Sequence, residues 1–467
     1  AHCNLAAVQA RMGDLAAAHA SHRRAYEIAG AAPTGARGGR GGALAGYALS
    51  CQKLCEWATF EALLPELEAL TRAEIAAGSP RLSVSPFSAL ALPWSVELTT
   101  AIARSASVRI ARMMRPTAEN LAFRFDRAAL AADARRPLRI GYLSADLRDH
   151  ATSHLMVPVF ALHDRDRFRV CTYSLGEDDG SEYRRRIVAD SDLFRDLRGL
   201  SHAAIARQIH ADGVDILVEL HGYTAHHRLE VCALRPAPIM VTYLGFPGHV
   251  AADFLDYAIT DEIVTPAVEA SLTTEALVLL PDTYHGADNR QEIDPLPIRR
   301  ADCGLPETGT VFCCFNGAYK IDRLLFERWM EVLRGVPDAV LWLWSDAPSV
   351  RANLRASAEF LGVSAARLIF AEHRPKAQHL ARLVLADLFL DTTIYNAHTT
   401  ACDALWAGVP VLTCPGATFA GRVGASFLSA VGLPELITPD HAGYVATAIR
   451  LARNPVALAA LKNKLAE

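Results

Sequence analysis

"ADLFLDTTIYNAHTTACDALWAGVPVLT", residues 386–413, sets an apolar run against a helical pattern and then a second apolar run. The first run reads as a buried strand ending near Asp391, followed by a loop to Ala397. "HTTACDALWAG" has helical spacing and is closed by Gly408 and Pro410. His398, Thr399 and Thr400 then stand at a helix N-terminus, where unpaired N–H groups and the helix dipole attract an anion such as a diphosphate. The same residues also suit a plain helix cap supplied by Thr399 or Thr400, and both readings stand on this stretch alone. Asp403, one turn further on, is placed to accept hydroxyl hydrogen bonds from a ribose.

The same texture extends outward. "TVFCCFN", "AVLWLW" and "RLIF" precede this stretch, and a Pro-rich, charged segment at 294–309 separates them from "LRIGYLS", "FRVCTYSL", "VDILVEL", "IMVTYLG" and "DYAIT". Helix-length segments such as 181–190 and 200–211 lie between these short β-rich runs. The pattern predicts two doubly wound α/β halves in series, facing each other across a cleft, with ligands beyond the carboxyl ends of the strands. Upstream the texture is helical. Asn4, Leu5, Ala6, Gly13, Ala18 and Ala25 have the spacing of a tetratricopeptide repeat, with an ordinary Ala-rich hairpin as the alternative. One repeat cannot bury its face alone, so an array is expected upstream of residue 1. "PTGARGGRGG", residues 33–42, reads as a flexible connection, and residues 43–130 as helical.

Composition narrows the function classes. The chain has 467 residues, 51% of them hydrophobic, enough to bury more than one core, and a prior of roughly 150 residues per domain predicts two to four domains. A net charge of −4 with scattered Lys and Arg argues against a nucleic-acid surface. Ten cysteines without paired spacing, with Cys313 and Cys314 adjacent in an apolar run, predict core thiols in a reducing compartment. No apolar stretch reaches the roughly 18 residues of a membrane span, and no signal segment opens the chain. A cytoplasmic location is expected, although the chain does not begin with Met and reads as a truncated or processed form.

Strand ends are where chemistry is sought. Lys320 in "FNGAYKID" (315–322) is positioned to neutralise a phosphate leaving group, or else is a solvated surface lysine. Lys376 and His379 in "EHRPKAQHLARL" share a helical face, and a flat imidazole can stack on a base. "SADLRDHATSHLM" carries His150 and His154 four apart. No carboxylate completes a zinc motif there, and a histidine at a cleft edge can serve as general base or orient a hydroxyl. "HGYTAHH", residues 221–227, is a second His-rich strand end, readable as a ligand site or as a polar loop. Asp164 with Asp166, and Asp190 with Asp192, fall in connections or helices and poorly resemble a metal clasp. No GxGxxG follows a strand and no GxxxxGK[ST] exists, so a metal-free site for a nucleoside diphosphate is the surviving expectation.

At these residues a resemblance is specific. "HATSHLM", "HGYT", "LRPAPIMVTYLGFPG", "DYAITD", "FNGAYKID", "RPKAQH" and "HTTACDALWAGVPVLT" occur in the order of the O-GlcNAc transferase family, which the chain resembles over nearly its whole length. The resemblance implies a glycosyltransferase-B fold, two Rossmann-like halves, preceded by tetratricopeptide repeats that take protein acceptors. It implies metal-free, inverting transfer of N-acetylglucosamine from UDP-GlcNAc to Ser or Thr hydroxyls, with no cofactor. Carried over by position, Lys376 and His379 contact and stack on the uracil, and Asp403 binds the ribose. His398, Thr399, Thr400 and Lys320 hold the diphosphate. His150 sits by the sugar and acceptor as candidate base, with proton loss through the donor's phosphate as the other route. His154, His221, Tyr223, Thr224, Asn316 and Tyr319 are expected on the acceptor or sugar side.

The implied segments are a repeat remnant and linker (1–42), a helical connection (43–135), an N-terminal catalytic half (136–300) and a C-terminal nucleotide-binding half (301–467). Three departures stand out: Gly317 replaces the Gln of animal members, His221 replaces a common Asn, and the insert between the catalytic halves is short, as in bacterial rather than animal members. A plant Spindly-like transferase of GDP-fucose is the rival in the same family. It has a threonine run at "AHTTA" and lacks the second histidine of "HATSH", so His398 and His154 favour UDP-GlcNAc. A catalytically weak repeat scaffold and a sugar-nucleotide epimerase are the rivals from other classes.

Overall fold

The computed structural model describes residues 1–31, 39–125 and 136–466. By contacts it divides into two units, Ala1–Pro93 with Glu292–Glu467, and Trp94–Gln291.

The first unit opens with helices α1 (His2–Arg11), α2 (Leu15–Ala31), α3 (Arg40–Lys53), α4 (Trp57–Ala76) and the short α5 (Pro86–Ala89). Ala6, Ala18 and Ala25 are buried, as the repeat spacing requires, because small side chains let α1 and α2 approach. The expected flexible connection at 33–42 lies mostly outside the described residues. Its last three, Arg40, Gly41 and Gly42, are instead the first turn of α3. The helices are fastened to the sheet of the same unit: the Trp57 indole donates to the Ile321 carbonyl at 2.9 Å and Asn353 Nδ2 to that of Leu54 at 2.8 Å.

The second unit runs α6 (Val96–Leu121), β1 (Leu138–Ser144), α7 (Ala151–Leu162), β2 (Phe168–Ser174), α8 (Glu182–Ala189), β3 (Leu193–Asp196), α9 (His202–Ala211), β4 (Ile216–Glu219), α10 (Leu229–Ala233), β5 (Ile239–Thr242), β6 (Tyr257–Thr260) and β7 (Ala276–Leu279). Helix α6 packs here, with the Ser107 hydroxyl on the Ala251 carbonyl at 2.7 Å. Every strand pair is parallel, in the order β3-β2-β1-β4-β5-β6-β7, with Leu138 opposite Phe168 and Ile140 opposite Ile216. Strands β3 and β7 were not among the sequence expectations. Both are four residues long, largely unburied and at the edges of the sheet; the charges of β3 (LFRD) break the apolar run that marks a buried strand, whereas β7 (ALVL) is a short apolar run.

The chain then returns to the first unit with β8 (Val311–Cys314), α11 (Arg323–Gly335), β9 (Val340–Trp344), α12 (Pro348–Phe360), β10 (Leu368–Ala371), α13 (Lys376–Leu383), β11 (Leu388–Leu390), α14 (Thr399–Trp406), β12 (Val411–Leu412), α15 (Val423–Ala430), α16 (His441–Ala452) and α17 (Pro455–Ala466). These strands too are all parallel, ordered β10-β9-β8-β11-β12. Helix α11 shows the local logic: Asp322 caps it through the Leu325 N–H, and Leu325, Phe326, Trp329, Met330 and Leu333 bury one stripe. Cys313 and Cys314 are buried and unpaired. Among the described residues no helix is long and apolar enough to cross a membrane.

In both sheets the third, second, first, fourth and fifth strands run side by side, the doubly wound order. The direction in which strands are added to the sheet reverses between the first and fourth strands, and loops leaving those two strands diverge to open a crevice.

Candidate functional site

In the first unit the switch point lies between β8 and β11, and the loops after them carry Lys320 and His398. Lys320 Nζ donates to the Asn396 carbonyl at 2.8 Å and stands 3.9 Å from the centre of the Tyr395 ring. Burial pushes its pKa down to about 8, with the nearby Asp391 charge opposing the shift. The ammonium is thus held protonated at neutral pH but weakly, where a further negative charge would be strongly felt.

Helix α14 starts as expected, with a different cap. His398 is the N-cap residue and makes no capping side-chain bond, so neither threonine caps the helix. The Thr400 hydroxyl donates to Asn316 Oδ1 at 2.6 Å instead. The N–H groups of Ala401 and Cys402 both use the His398 carbonyl, which leaves the very start of the helix as the anion-attracting end. Gly408 closes it with φ +76°, as its position predicted.

Beneath the loop lies Asp391, which sequence reasoning missed. Its carboxylate is fully buried and accepts the N–H groups of Thr392 (2.8 Å) and Ala397 (2.6 Å) and the Thr413 hydroxyl (2.8 Å). Burial pushes its pKa up to about 7 against those bonds and the Lys320 charge. Gly424 of α15 permits the approach: a Cβ there would sit 2.5 Å from Asp391 Oδ2. Asp391 therefore shapes the loop from below. Its only signal in the sequence is its place at the end of a strand.

Lys376 and His379 converge on Asp403 across α13 and α14. Lys376 Nζ hydrogen-bonds to Asp403 Oδ1, and His379 Nε2 lies 4.0 Å from Oδ2. Arg382 donates to His379 Nδ1 at 2.9 and 3.1 Å, so Nδ1 is an acceptor and Nε2 bears the proton. Burial, with the charges of Arg382 and Lys376, pushes the His379 pKa down to about 3. The ring is neutral and fixed, with Phe315 edge-on at 5.2 Å.

Asn316, expected on the sugar side, is 2% exposed. Its amide bridges Thr392 Oγ1 (2.7 Å) and Thr400, tying β8 to the loop and helix across the switch point. It holds the site together from behind. Tyr319 packs edge-on to Tyr395 at 6.0 Å. A Cβ at Gly317 would lie 2.9 Å from the Tyr319 ring, so that ring occupies the space where a longer residue 317 would begin.

In the second unit the equivalent loops follow β1 and β4 and carry histidines. His150 is the N-cap of α7; its Nδ1 is 3.3 Å from the Thr152 N–H and 3.4 Å from Asp146 Oδ2. Burial lowers its pKa, with Asp146 opposing, so it is neutral at pH 7. Which neighbour Nδ1 serves decides the chemistry. When it donates to Asp146, Nε2 is left free to take a proton; when it accepts from Thr152, Nε2–H is a donor. His154 pairs with Asp149 (2.7 Å) and packs on Tyr183 at 4.4 Å.

His221, by contrast, is sealed. It is 2% exposed, accepts the Ala145 N–H on Nε2 at 2.7 Å, and meets Thr224 Oγ1 through Nδ1 at 2.9 Å. Burial pushes its pKa down to about 4. Tyr223 is sealed as well, its hydroxyl on the carbonyls of Ala103 (2.8 Å) and Val250 (2.9 Å). His221 and Tyr223 hold the β4 loop against β1 and α6, and the partly exposed Thr224 supports the His221 ring. Asp146, unforeseen, lies between the two histidines, 3.4 Å from His150 and 3.6 Å from His221. It stands four residues before His150, a spacing that could have flagged it.

Two doubly wound parallel sheets preceded by a helical, repeat-like region define an α/β protein of the glycosyltransferase-B class. The chain belongs to glycosyl transferase family 41, whose model matches residues 54–300 and 296–467. It is 37% identical over 434 residues to the Arabidopsis thaliana "probable UDP-N-acetylglucosamine--peptide N-acetylglucosaminyltransferase SEC", covering 90% of this chain and 43% of that protein. The Caenorhabditis elegans UDP-N-acetylglucosamine--peptide N-acetylglucosaminyltransferase is 30% identical over 70% of this chain and 38% of its own length. The chain thus spans about two-fifths of these relatives. A solved lysine-to-methionine mutant of the Thermobaculum terrenum O-GlcNAc transferase aligns with TM-score 0.68 and 28% identity, covering 99% of this chain and 91% of that one.

Proposed function

We propose that the chain transfers N-acetylglucosamine from UDP-GlcNAc to Ser or Thr hydroxyls of proteins, with inversion and without a metal or cofactor. The observation that carries this reading is the convergence, at the switch point of the first unit, of the Lys320 ammonium and the start of α14, with a fixed neutral His379 packed on Phe315 just after β8. Positive charge and N–H dipoles meet where a diphosphate belongs, with a flat ring placed to stack on a base. The names of the Arabidopsis, C. elegans and Thermobaculum proteins support the same substrates.

In this mechanism Lys376, His379 and Asp403 hold the uridine, and His398, Thr399, Thr400 and Lys320 the diphosphate. The acceptor oxygen attacks the anomeric carbon from the face opposite the diphosphate. The bond to phosphate breaks, and UDP leaves with the electron pair. Lys320 answers the charge that grows on the leaving oxygen, which is why it acts mainly in the transition state. The hydroxyl proton passes to His150, oriented by Asp146, or to the donor's own phosphate. Acceptors are held by the repeat region, where α1, α2 and α3 border a cavity of about 760 Å³ lined by Asn4, His22, Lys53 and Arg81 among others. A cytoplasmic location and segment limits at 42, 135 and 300 belong to the same proposal.

Calorimetric titration with UDP and GDP, together with labelled UDP-GlcNAc and a lysate of acceptor proteins, tests it. Preferential UDP binding and labelled protein are expected. Preferential GDP binding moves the donor to a GDP-sugar such as GDP-fucose. Nucleotide binding with neither labelled protein nor donor hydrolysis makes the chain a scaffold, and release of a free sugar makes it an epimerase.

A further inference from the structure

Away from the strand ends, His19 of α2, Cys51 of α3 and Glu56 at the start of α4 bring an imidazole nitrogen, a thiol and a carboxylate oxygen all within 4.8 Å of one another. We propose that these three residues bind one divalent transition-metal ion of the zinc class, clipping three helices together.

The hydrogen bonds around His19 argue for this. The Ser50 hydroxyl donates to the Tyr47 carbonyl at 2.8 Å, so toward His19 it presents a lone pair. His19 Nδ1, 3.0 Å from that oxygen, is therefore the protonated nitrogen. Its Nε2 lone pair then faces the Glu56 carboxylate at 3.4 Å, with the Cys51 sulfur on the third side. A ligating histidine characteristically gives its other N–H to such an acceptor, which fixes the tautomer and the ring plane. Nitrogen, sulfur and oxygen donors from one site suit zinc and its neighbours, with a fourth position left for water.

Bond lengths of about 2.0–2.3 Å to a tetrahedral zinc place ligand atoms about 3.3–3.8 Å apart, so the site must contract by about 1 Å. Glu56 can supply that movement, since its side chain is 36% exposed and caps no helix N–H. Binding replaces the thiol proton by the metal, releasing one proton per ion. Glu56 is followed directly by Trp57, whose indole holds the Ile321 carbonyl next to Lys320. A metal here stiffens the junction between the helical region and the Lys320 loop.

The test uses the full chain, stripped with a chelator and titrated with Co²⁺, followed by Zn²⁺ competition. One equivalent of cobalt should produce a thiolate-to-metal charge-transfer band that zinc abolishes. Cys51→Ser should remove the band and Cys3→Ser should leave it. Ser50→Ala, which only frees the His19 ring, should weaken binding about 10–100-fold. Glu56→Gln, at a half-exposed position that leaves the core intact, should weaken it at least as much. Circular dichroism reports folding of each variant. If Cys51→Ser fails to fold, Glu56→Gln and Ser50→Ala decide. Absence of a stoichiometric band, a band that survives Cys51→Ser, or affinities unchanged in both Glu56→Gln and Ser50→Ala would overturn the site and leave His19–Glu56 as an ion pair.

Discussion

The two units meet the same topological demand with opposite chemistry. Each opens a crevice between its first and fourth strands. The first unit lines it with Lys320 and the start of α14, whereas the second lines it with His150 and seals it with His221. The first offers fixed positive charge, and the second offers imidazoles kept neutral by burial. A strand-end rule locates both sites, but the hydrogen bonds behind each side chain decide whether it faces a ligand or the protein.

Breaking the first unit should have the largest effect. Lys320→Ala is expected to lower kcat about 10²–10³-fold, as for loss of a donor to a developing oxyanion. UDP affinity should fall by much less, read by single-turnover rates against calorimetry. Equal losses would make Lys320 a ground-state anchor. In the second unit, His150→Ala should lower kcat about a hundredfold if it carries the proton, near the lower limit for general-base catalysis. Asp146→Asn should lose most of the same factor, because the neutral amide no longer stabilises the imidazolium and can donate its N–H to Nδ1, which selects the tautomer with Nε2 protonated. A loss below about tenfold in both, measured as kcat at saturating donor, would assign the proton to the donor's phosphate.

A pH profile sharpens the contrast. Lys320 loses its proton as pH rises through about 8 in the free protein, so kcat/KM should fall on the alkaline side. The limiting slope is about tenfold per pH unit, and Lys320→Arg should flatten it. The histidine limb lies on the acid side, below the ordinary 6.5, because burial lowers the His150 pKa. The smallest effect on turnover is expected at His221→Ala. Removing a sealed imidazole that satisfies the Ala145 N–H should destabilise folding by about 1–3 kcal/mol, seen as a lower Tm, with kcat of the folded fraction nearly unchanged. A large kcat loss without a Tm change would return His221 to the reacting groups.

Much of this was legible without coordinates. The two sheets, the start and stop of α14, the placing of Lys320 and His398 at strand ends, and the shared helical face of Lys376 and His379 all follow from local periodicity, stop signals and motif order; their convergence on Asp403 does not. What the sequence did not show is which polar side chains are engaged by partners remote in the chain. Asn316 bridges Thr392 and Thr400, 76 and 84 residues away. Tyr223 is held by Ala103, 120 residues away. The helices of residues 43–121 read as one region, yet α3 to α5 pack in the first unit and α6 in the second.

The sequence by itself determined the elements, the family and most of the charged groups at the strand ends, because period, capping and breaker residues act over a few positions. Only the tertiary structure decided which polar side chains still face outward. That depends on which distant donor or acceptor reaches them first, and a buried polar group is satisfied wherever the fold brings a partner.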